Sequence, residues 1–340
     1  MNHSIALQFE DGTTRFIDCA EDETLADAAY RQGVNVPLDC RDGACGTCKG
    51  HCESGRYDGG SYIEDALSDD EARDGFVLAC QMRPKSDCVV RIAASAAACK
   101  TGVSEVRGTL QSLNRDTATT LTFSIALEGE RALDFLPGQY ANVTIPGSDE
   151  TRAYSFSSPP GASHVSFLVR DVPDGKMSRY LRHEAALATS MQFKGPFGSF
   201  YLREVKRPVV MLAGGTGLAP FLSMLASLAA REETQPIHLV YGVTNDADLV
   251  GIDEIERFAA QLPNFTYSTC VASDASAHPR KGYVTAHLPS TALHDGNVDI
   301  YVCGPPPMVE AVRHWLKSNQ IEPANFYFEK FAPSTVGVEA

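Results

Sequence analysis

The sequence predicts a multidomain chain in which an α+β domain is followed by a small antiparallel β-barrel and then by a parallel-sheet α/β domain. Three observations carry that expectation. A tight cysteine- and glycine-rich loop, CRDGACGTCKG at 40–50, lies among short strand-like runs in the first hundred residues. Apolar runs such as LTFSIAL, QYANVTI and HVSFLVR, separated by Gly/Pro turns, fill the region from 106 to 203. From 208 onward, near-continuous apolar strands (RPVVMLA, PIHLVYGV, TYSTCVA, DIYVCG) alternate with helical segments, the pattern of a parallel sheet.

Length agrees, because 340 residues exceed what one ordinary core supports and suggest two or three domains. With 44% hydrophobic and 21% charged residues the chain reads as globular. No apolar run approaches the roughly 20 residues that cross a bilayer, and MNHSIALQFEDG lacks a basic segment leading into an apolar one. A cytoplasmic protein with no membrane partner is expected. The net charge of −14 argues against a nucleic-acid partner, which would require basic patches. Residues 1–98 hold 18 acidic against 9 basic side chains, so most of the negative charge sits in the first third.

The elements follow in order. SIALQFEDGTTRFIDC gives two alternating runs around EDGTT, a hairpin; DETLADAAYRQG gives a helix with acidic residues in its first turn and Gly33 as a stop. CVVRIAAS, near residue 90, is a closing strand. The small-residue stretch AASAAACKTGVSE beyond it reads as connecting chain. The first domain is accordingly drawn over 1–98, a linker over 99–105, the barrel over 106–203 and the α/β domain over 204–340.

Ten cysteines are too few for a disulfide scaffold of this length and are better explained as ligands or core residues. Cys40, Cys45 and Cys48 follow a C-x4-C-x2-C spacing, and Cys80 completes it after 31 intervening residues. That is the ligand spacing of a plant-type 2Fe–2S cluster. Gly43, Ala44, Gly46 and Thr47 keep the loop small enough for backbone N–H groups to approach sulfur. Zinc would ask for two close pairs where the chain offers one, and a redox C-x-x-C would open a helix. Cys19, Cys52, Cys88, Cys99 and Cys270 fall outside the spacing and are expected in the core. On these residues the first hundred positions resemble a plant-type ferredoxin, a one-electron carrier.

RAYSFSS at 152–158 resembles the R-x-Y-[ST] flavin motif of the ferredoxin-NADP reductase superfamily. The resemblance implies that Arg152 pairs with a flavin phosphate, that Tyr154 faces the ring system and that Ser155 lies near its reactive nitrogen. DGKMSRYL places Gly175, Lys176, Met177 and Ser178 at a loop entering a helix, where N–H groups attract phosphate. FLPGQYANV and GPFGSF match the same superfamily's first and last barrel motifs in order.

VVMLAGGTGLAPFLSML sets Gly214, Gly215, Thr216 and Gly217 between a buried strand and a helix opening at Pro220, where a dinucleotide pyrophosphate can rest on helix N–H groups. G-G-T-G-x-x-P is the form of this turn in the reductase superfamily, in place of G-x-G-x-x-G. In DIYVCGPPPMVEAV, Cys303 and Gly304 close a strand at the carboxyl edge of the sheet, where ligands bind. By resemblance Cys303 lies beside the nicotinamide, while Glu329 and Phe331 of FYFEKF lie near the flavin, the Phe331 ring covering it. TNDADL, with Asp248 after the second strand and no Lys or Arg, favours the free ribose hydroxyls of NADH.

A hydride delivers two electrons and the cluster accepts one, a mismatch that flavin chemistry bridges. The domain order, ferredoxin first and nicotinamide last, resembles the reductase components of aromatic-ring-hydroxylating dioxygenases of the benzoate, toluate and anthranilate type. It implies a ferredoxin-like β-grasp domain, a six-stranded flavin barrel, FAD as the flavin, NADH as the donor and a terminal oxygenase with a Rieske centre as the recipient. The catalytic residues implied are Ser155, Cys303, Glu329 and Phe331. Reductases that feed di-iron monooxygenases share the order, and a redox sensor that keeps its cofactors is a third reading. The acidic run IEDALSDDEARDG at 63–75 could steer docking of a basic partner or simply be a solvated face.

Overall fold

The computed structural model describes residues 2–38, 41–100, 104–130 and 132–331. The chain divides into two compact units, one of Met1–Ser104 with Pro196–Ser199 and one of Glu105–Gly195 with Phe200–Ala340.

The first unit contains β1 (Asn2–Phe9), β2 (Thr14–Ala20), α1 (Leu25–Arg31), β3 (Lys49–Ser54), β4 (Tyr57–Asp58), α2 (Asp69–Arg73), β5 (Phe76–Leu78), β6 (Arg83–Pro84) and β7 (Cys88–Ile92). The sheet runs β2-β1-β7-β3-β5, with β4 paired to β6. The hairpin β1–β2 is antiparallel and β7 lies parallel to β1, the strand arrangement of a β-grasp domain. Thr24 caps α1 by accepting the Asp27 amide at 3.2 Å, and Leu25, Ala26, Ala28 and Ala29 form its buried stripe. All five cysteines assigned to the core are buried.

The connecting stretch departs in part from expectation. Ala94 and Ala96 are buried, the Ala96 amide donates to Asp11 at 2.8 Å, and the Asn35 amide donates to the Cys99 carbonyl at 2.9 Å. Small side chains here allow close packing, so Cys99 and Lys100 belong to the first unit, where composition alone read the beginning of a linker. Residues 101–103 lie outside the described residues.

The second unit begins, apart from Ser104, Pro196 and Phe197, with β8 (Ser104–Arg115), β9 (Thr120–Leu127), β10 (Tyr140–Thr144), β11 (Thr151–Ser155), β12 (His164–Arg170), α3 (Lys176–His183) and β13 (Ser190–Phe197). The order β11-β10-β13-β8-β9-β12 is a six-stranded sheet whose two edges meet where Phe156 bridges Phe167. That contact closes the barrel. Phe123, Phe156, Phe167 and Phe193 fill it, each no more than 1% exposed, and Met177, Tyr180 and Leu181 of α3 pack against them.

The remainder holds β14 (Val209–Gly214), α4 (Ala219–Ala230), β15 (Ile237–Val243), α5 (Ile252–Gln261), β16 (Phe265–Val271), β17 (Asp299–Gly304), α6 (Pro306–Ser318) and β18 (Asn325–Lys330). The sheet β16-β15-β14-β17-β18 is parallel throughout. The chain starts at β14, moves outward through β15 and β16, then returns to lay β17 against the other side of β14. This reversal creates a switch point at the carboxyl ends of β14 and β17, where open α/β sheets bind ligands. Met211, Ala213, Tyr301 and Cys303 share one face with α4, while Val210, Leu212 and Val302 share the other with α6. Every residue of β14 and of β17 is buried.

Candidate active site

In the first unit the Cys48 carbonyl accepts the Ala79 amide at 3.0 Å, and Lys49 pairs with Leu78 between β3 and β5. Cys48 and Cys80 therefore come to neighbouring strand ends, and both are buried. Cys45 is exposed, and Cys40 lies outside the described residues. Among the described residues no three Cys, His, Asp or Glu side chains gather as a metal set. The surroundings nonetheless fit a sulfur-ligated group. A cavity of about 230 Å³ opens beside Cys80 among Thr24, Leu38, Arg41 and Gln81, and Gln81 Nε2 donates to Cys80 Sγ at 3.8 Å. Gly43 has φ 83°, and a Cβ there would fall 2.4 Å from the Ser61 carbonyl, so the loop must carry glycine to stay folded against 61–62.

In the barrel, Arg152 and Lys176 converge on one carboxylate. Glu150 Oε2 accepts Arg152 Nη2 at 3.1 Å, and its other oxygen accepts Lys176 Nζ. Hydrogen bonds from Lys176, then Arg152, hold the Glu150 carboxyl below its usual range. Two cations that reach one carboxylate can reach one phosphate, which is the observation that fits a flavin phosphate to this place. Lys176 opens α3 directly after Gly175, so first-turn N–H groups face the same region. Met177 and Ser178 are buried. The Ser178 hydroxyl accepts the Val172 amide at 2.9 Å, so this side chain shapes the loop, and only its backbone is placed to meet an anion. Tyr154 leans on Phe123 and Phe167, with centroid separations of 6.1 and 6.3 Å.

Gly214 to Leu218 form the turn between β14 and α4, with Pro220 in the helix's first turn. A Cβ on Gly217 would sit 2.2 Å from the Cys303 carbonyl, so this glycine lets the two loop ends touch. Gly215, at φ 55°, has open space where a side chain would project, as a backbone-lined anion seat requires. Thr216 lies between them.

Beside this turn three chemical groups meet. Cys303 is fully buried and pairs in register with Glu329 across β17–β18. Burial, then the Glu329 charge, pushes its thiol well above the usual range, so it is a neutral contact group and no nucleophile. The Ser155 hydroxyl, 4% exposed at the end of β11, donates to Glu329 Oε2 at 3.2 Å. Phe331, partly buried against the same face, donates its amide to the Gly304 carbonyl at 2.9 Å.

Asp248 is otherwise occupied. Its carboxylate accepts Thr119 Oγ1 of the barrel at 2.5 Å and the Asn245 amide at 3.0 Å. Burial raises its carboxyl, but these hydrogen bonds win and hold it below the usual range. The first duty of Asp248 is to shape the 245–248 turn and tie it to the barrel. Sequence reading missed Thr119 and Glu150, because neither belongs to a motif: the partner of Thr119 lies 129 residues away, and Glu150, two residues before Arg152, also takes Lys176 from 26 residues on.

A parallel nucleotide-binding sheet joined to a flavin-type barrel, with a separate iron–sulfur β-grasp domain, defines a modular electron-transfer oxidoreductase. Family comparison agrees: residues 8–85 match the 2Fe-2S iron-sulfur cluster binding domain, 108–201 the oxidoreductase FAD-binding domain and 211–314 the oxidoreductase NAD-binding domain. The chain is 58% identical to the 2-halobenzoate 1,2-dioxygenase electron transfer component of Burkholderia cepacia, over 99% of this chain and 100% of that one. It is 55% identical to the toluate 1,2-dioxygenase electron transfer component of Pseudomonas putida, over 98% of this chain and 100% of that one. Among solved structures, a cytochrome P450 reductase of Amycolatopsis superposes with a TM-score of 0.74 at 31% identity, covering 97% of this chain and all of that one. The chain belongs to the family of electron transfer components of aromatic-ring 1,2-dioxygenases, and is an NADH-dependent oxidoreductase with 2Fe–2S, FAD and NAD domains. Among the described residues no helix is long and apolar enough to cross a membrane.

Proposed function

We propose that the chain takes electrons from NADH and passes them singly, through its iron–sulfur domain, to a terminal dioxygenase of the benzoate type that carries a Rieske centre. The observation that carries this reading is the meeting of Ser155, Cys303 and Glu329 at the switch point of a nucleotide-binding sheet. Bound FAD would supply the exchange between two-electron and one-electron chemistry.

The chain's own groups then have definite tasks. Arg152, Lys176 and the first turn of α3 would hold the flavin phosphate, and the Gly214–Gly217 turn would seat the dinucleotide pyrophosphate. The neutral Cys303 thiol gives the nicotinamide an uncharged wall. Glu329 accepts the Ser155 proton, so the hydroxyl would be left to accept a hydrogen bond from a bound ring and could hand a proton on to Glu329. Phe331 would cover the face of a bound flavin, and Cys40, Cys45, Cys48 and Cys80 would ligate the cluster. The acidic turn at 245–248, free of Lys and Arg, disfavours a 2′-phosphate and supports the preference for NADH.

Of the acidic residues at 63–75, Glu71 caps α2 and pairs with Lys49 at 2.8 Å, and Asp70 pairs with Arg73. Glu64, Asp69 and Asp74 supply the docking charge of the reading. The test is a Cys48→Ser variant assayed anaerobically. It should lose cluster absorbance and electron delivery to a purified Rieske-type dioxygenase while NADH still bleaches its flavin. Undiminished delivery, or delivery by the native chain to a di-iron monooxygenase alone, would overturn the reading.

A further inference from the structure

Phe200 to Arg203 lead out of the barrel toward β14, and they dock on the face of β17–β18 that also carries Cys303. Arg203 is the centre of this contact. Its amide donates to the Tyr301 hydroxyl at 3.1 Å, and its Nη1 donates to the Tyr201 carbonyl at 2.8 Å. Its guanidinium carbon lies 3.6 Å from the Tyr201 ring centroid and 4.4 Å from that of Tyr327. Tyr301 and Tyr327 pack on each other with centroids 4.8 Å apart.

The register gives this clamp its meaning. Tyr301 pairs with Tyr327 and Cys303 with Glu329. Because strand side chains alternate, Tyr301 shares a face with Cys303 and Tyr327 with Glu329, each two positions on and about 7 Å along the strand. Tyr301 is 1% exposed and Cys303 is fully buried in the same cluster, while Val302 joins the opposite one. A flat cation held between two aromatic faces resists both sliding and tilting, and a guanidinium does this where an ammonium does not. Ser155 comes from the barrel and Glu329 from the edge strand of the other domain, so their hydrogen bond depends on how the barrel exit is pinned to β18.

We propose that Arg203 is a positioning residue that sets the Cys303–Glu329 pair against Ser155. The proposal rests on the reading of Ser155 and Glu329 as reactive groups, and its test separates the two. Arg203→Lys, Ser155→Ala and the double variant are compared as FAD-loaded proteins. Arg203→Lys should lower the limiting rate of flavin reduction by NADH about tenfold, with the NADH dissociation constant nearly unchanged. The double variant should be no slower than Ser155→Ala, since the arginine acts through that hydrogen bond. Amide hydrogen exchange across 325–331 should quicken in Arg203→Lys, a readout independent of turnover. If Arg203→Lys loses FAD, Tyr327→Leu removes one wall of the clamp and takes its place. Additive rate losses with unchanged exchange at β18 would overturn the positioning role alone. An unchanged rate in Ser155→Ala would overturn the underlying reading and the proposal with it.

Discussion

The hydroxyl of Ser155 reaches the carboxylate of Glu329 at 3.2 Å across 174 positions of sequence. One group ends a barrel strand and the other rides on the edge strand of a parallel sheet, so the contact exists only when both domains are folded and joined. Ser155→Ala should therefore retain its FAD and its fold yet reduce flavin about a hundredfold more slowly, the cost expected when a reacting pair loses its alignment. Anaerobic stopped-flow absorbance with excess NADH measures this directly.

Glu150 holds the two cations expected to meet the flavin phosphate. Replacing it with Gln keeps the hydrogen-bond acceptor and removes a negative charge from the neighbourhood of a dianion. FAD should then bind about fivefold tighter, since exposed charge pairs are individually weak. Raising the salt concentration should shrink the difference between Glu150→Gln and the native chain. Flavin fluorescence titration of the apoprotein gives both numbers.

Acid should loosen the tie between barrel and nucleotide domain. Asp248 is held below its usual range, so its stabilising effect is present above the unfolded value near 3.8 and drains away as pH falls through the lower folded one. Asp248→Asn should be less stable than the native chain at neutral pH by about 0.5 kcal/mol, because the group is partly solvated. The gap should close on descending below pH 3.8. Urea unfolding at a series of pH values decides it, and a gap that widens in acid would contradict the assignment.

Gly217→Ala would drive a methyl into the Cys303 carbonyl. The expected result is a loss of about 1–3 kcal/mol in unfolding free energy. NADH should also bind more weakly, because the turn and the strand end it touches must separate. Thermal unfolding and NADH titration report the two effects.

Much of this molecule is legible in its amino-acid order. The alternation of LTFSIAL and HVSFLVR announces barrel strands, and the buried runs of β14 and β17 announce a parallel sheet, because burial on one face or on two leaves different periodicities. Ser155, Cys303 and the Gly214–Gly217 turn stand out in the sequence because the motifs that carry them set particular residue types at fixed spacings. What stays hidden depends on register and distance. Nothing near Arg203 hints that Tyr327 will lie over its guanidinium, and nothing in TNDADL hints that Thr119 will claim Asp248. Ser178 adds a detail that DGKMSRYL does not carry: its hydroxyl accepts the Val172 amide and so shapes the loop that enters α3. Composition also draws the linker from 99, whereas Cys99 is buried and its carbonyl accepts the Asn35 amide.

β18 is the edge strand of its sheet and the last strand of the described chain, and it carries Glu329. Ser155 precedes its carboxylate partner by 174 residues, so a chain cut short before β18 would keep the barrel hydroxyl and lose the acceptor that orients it.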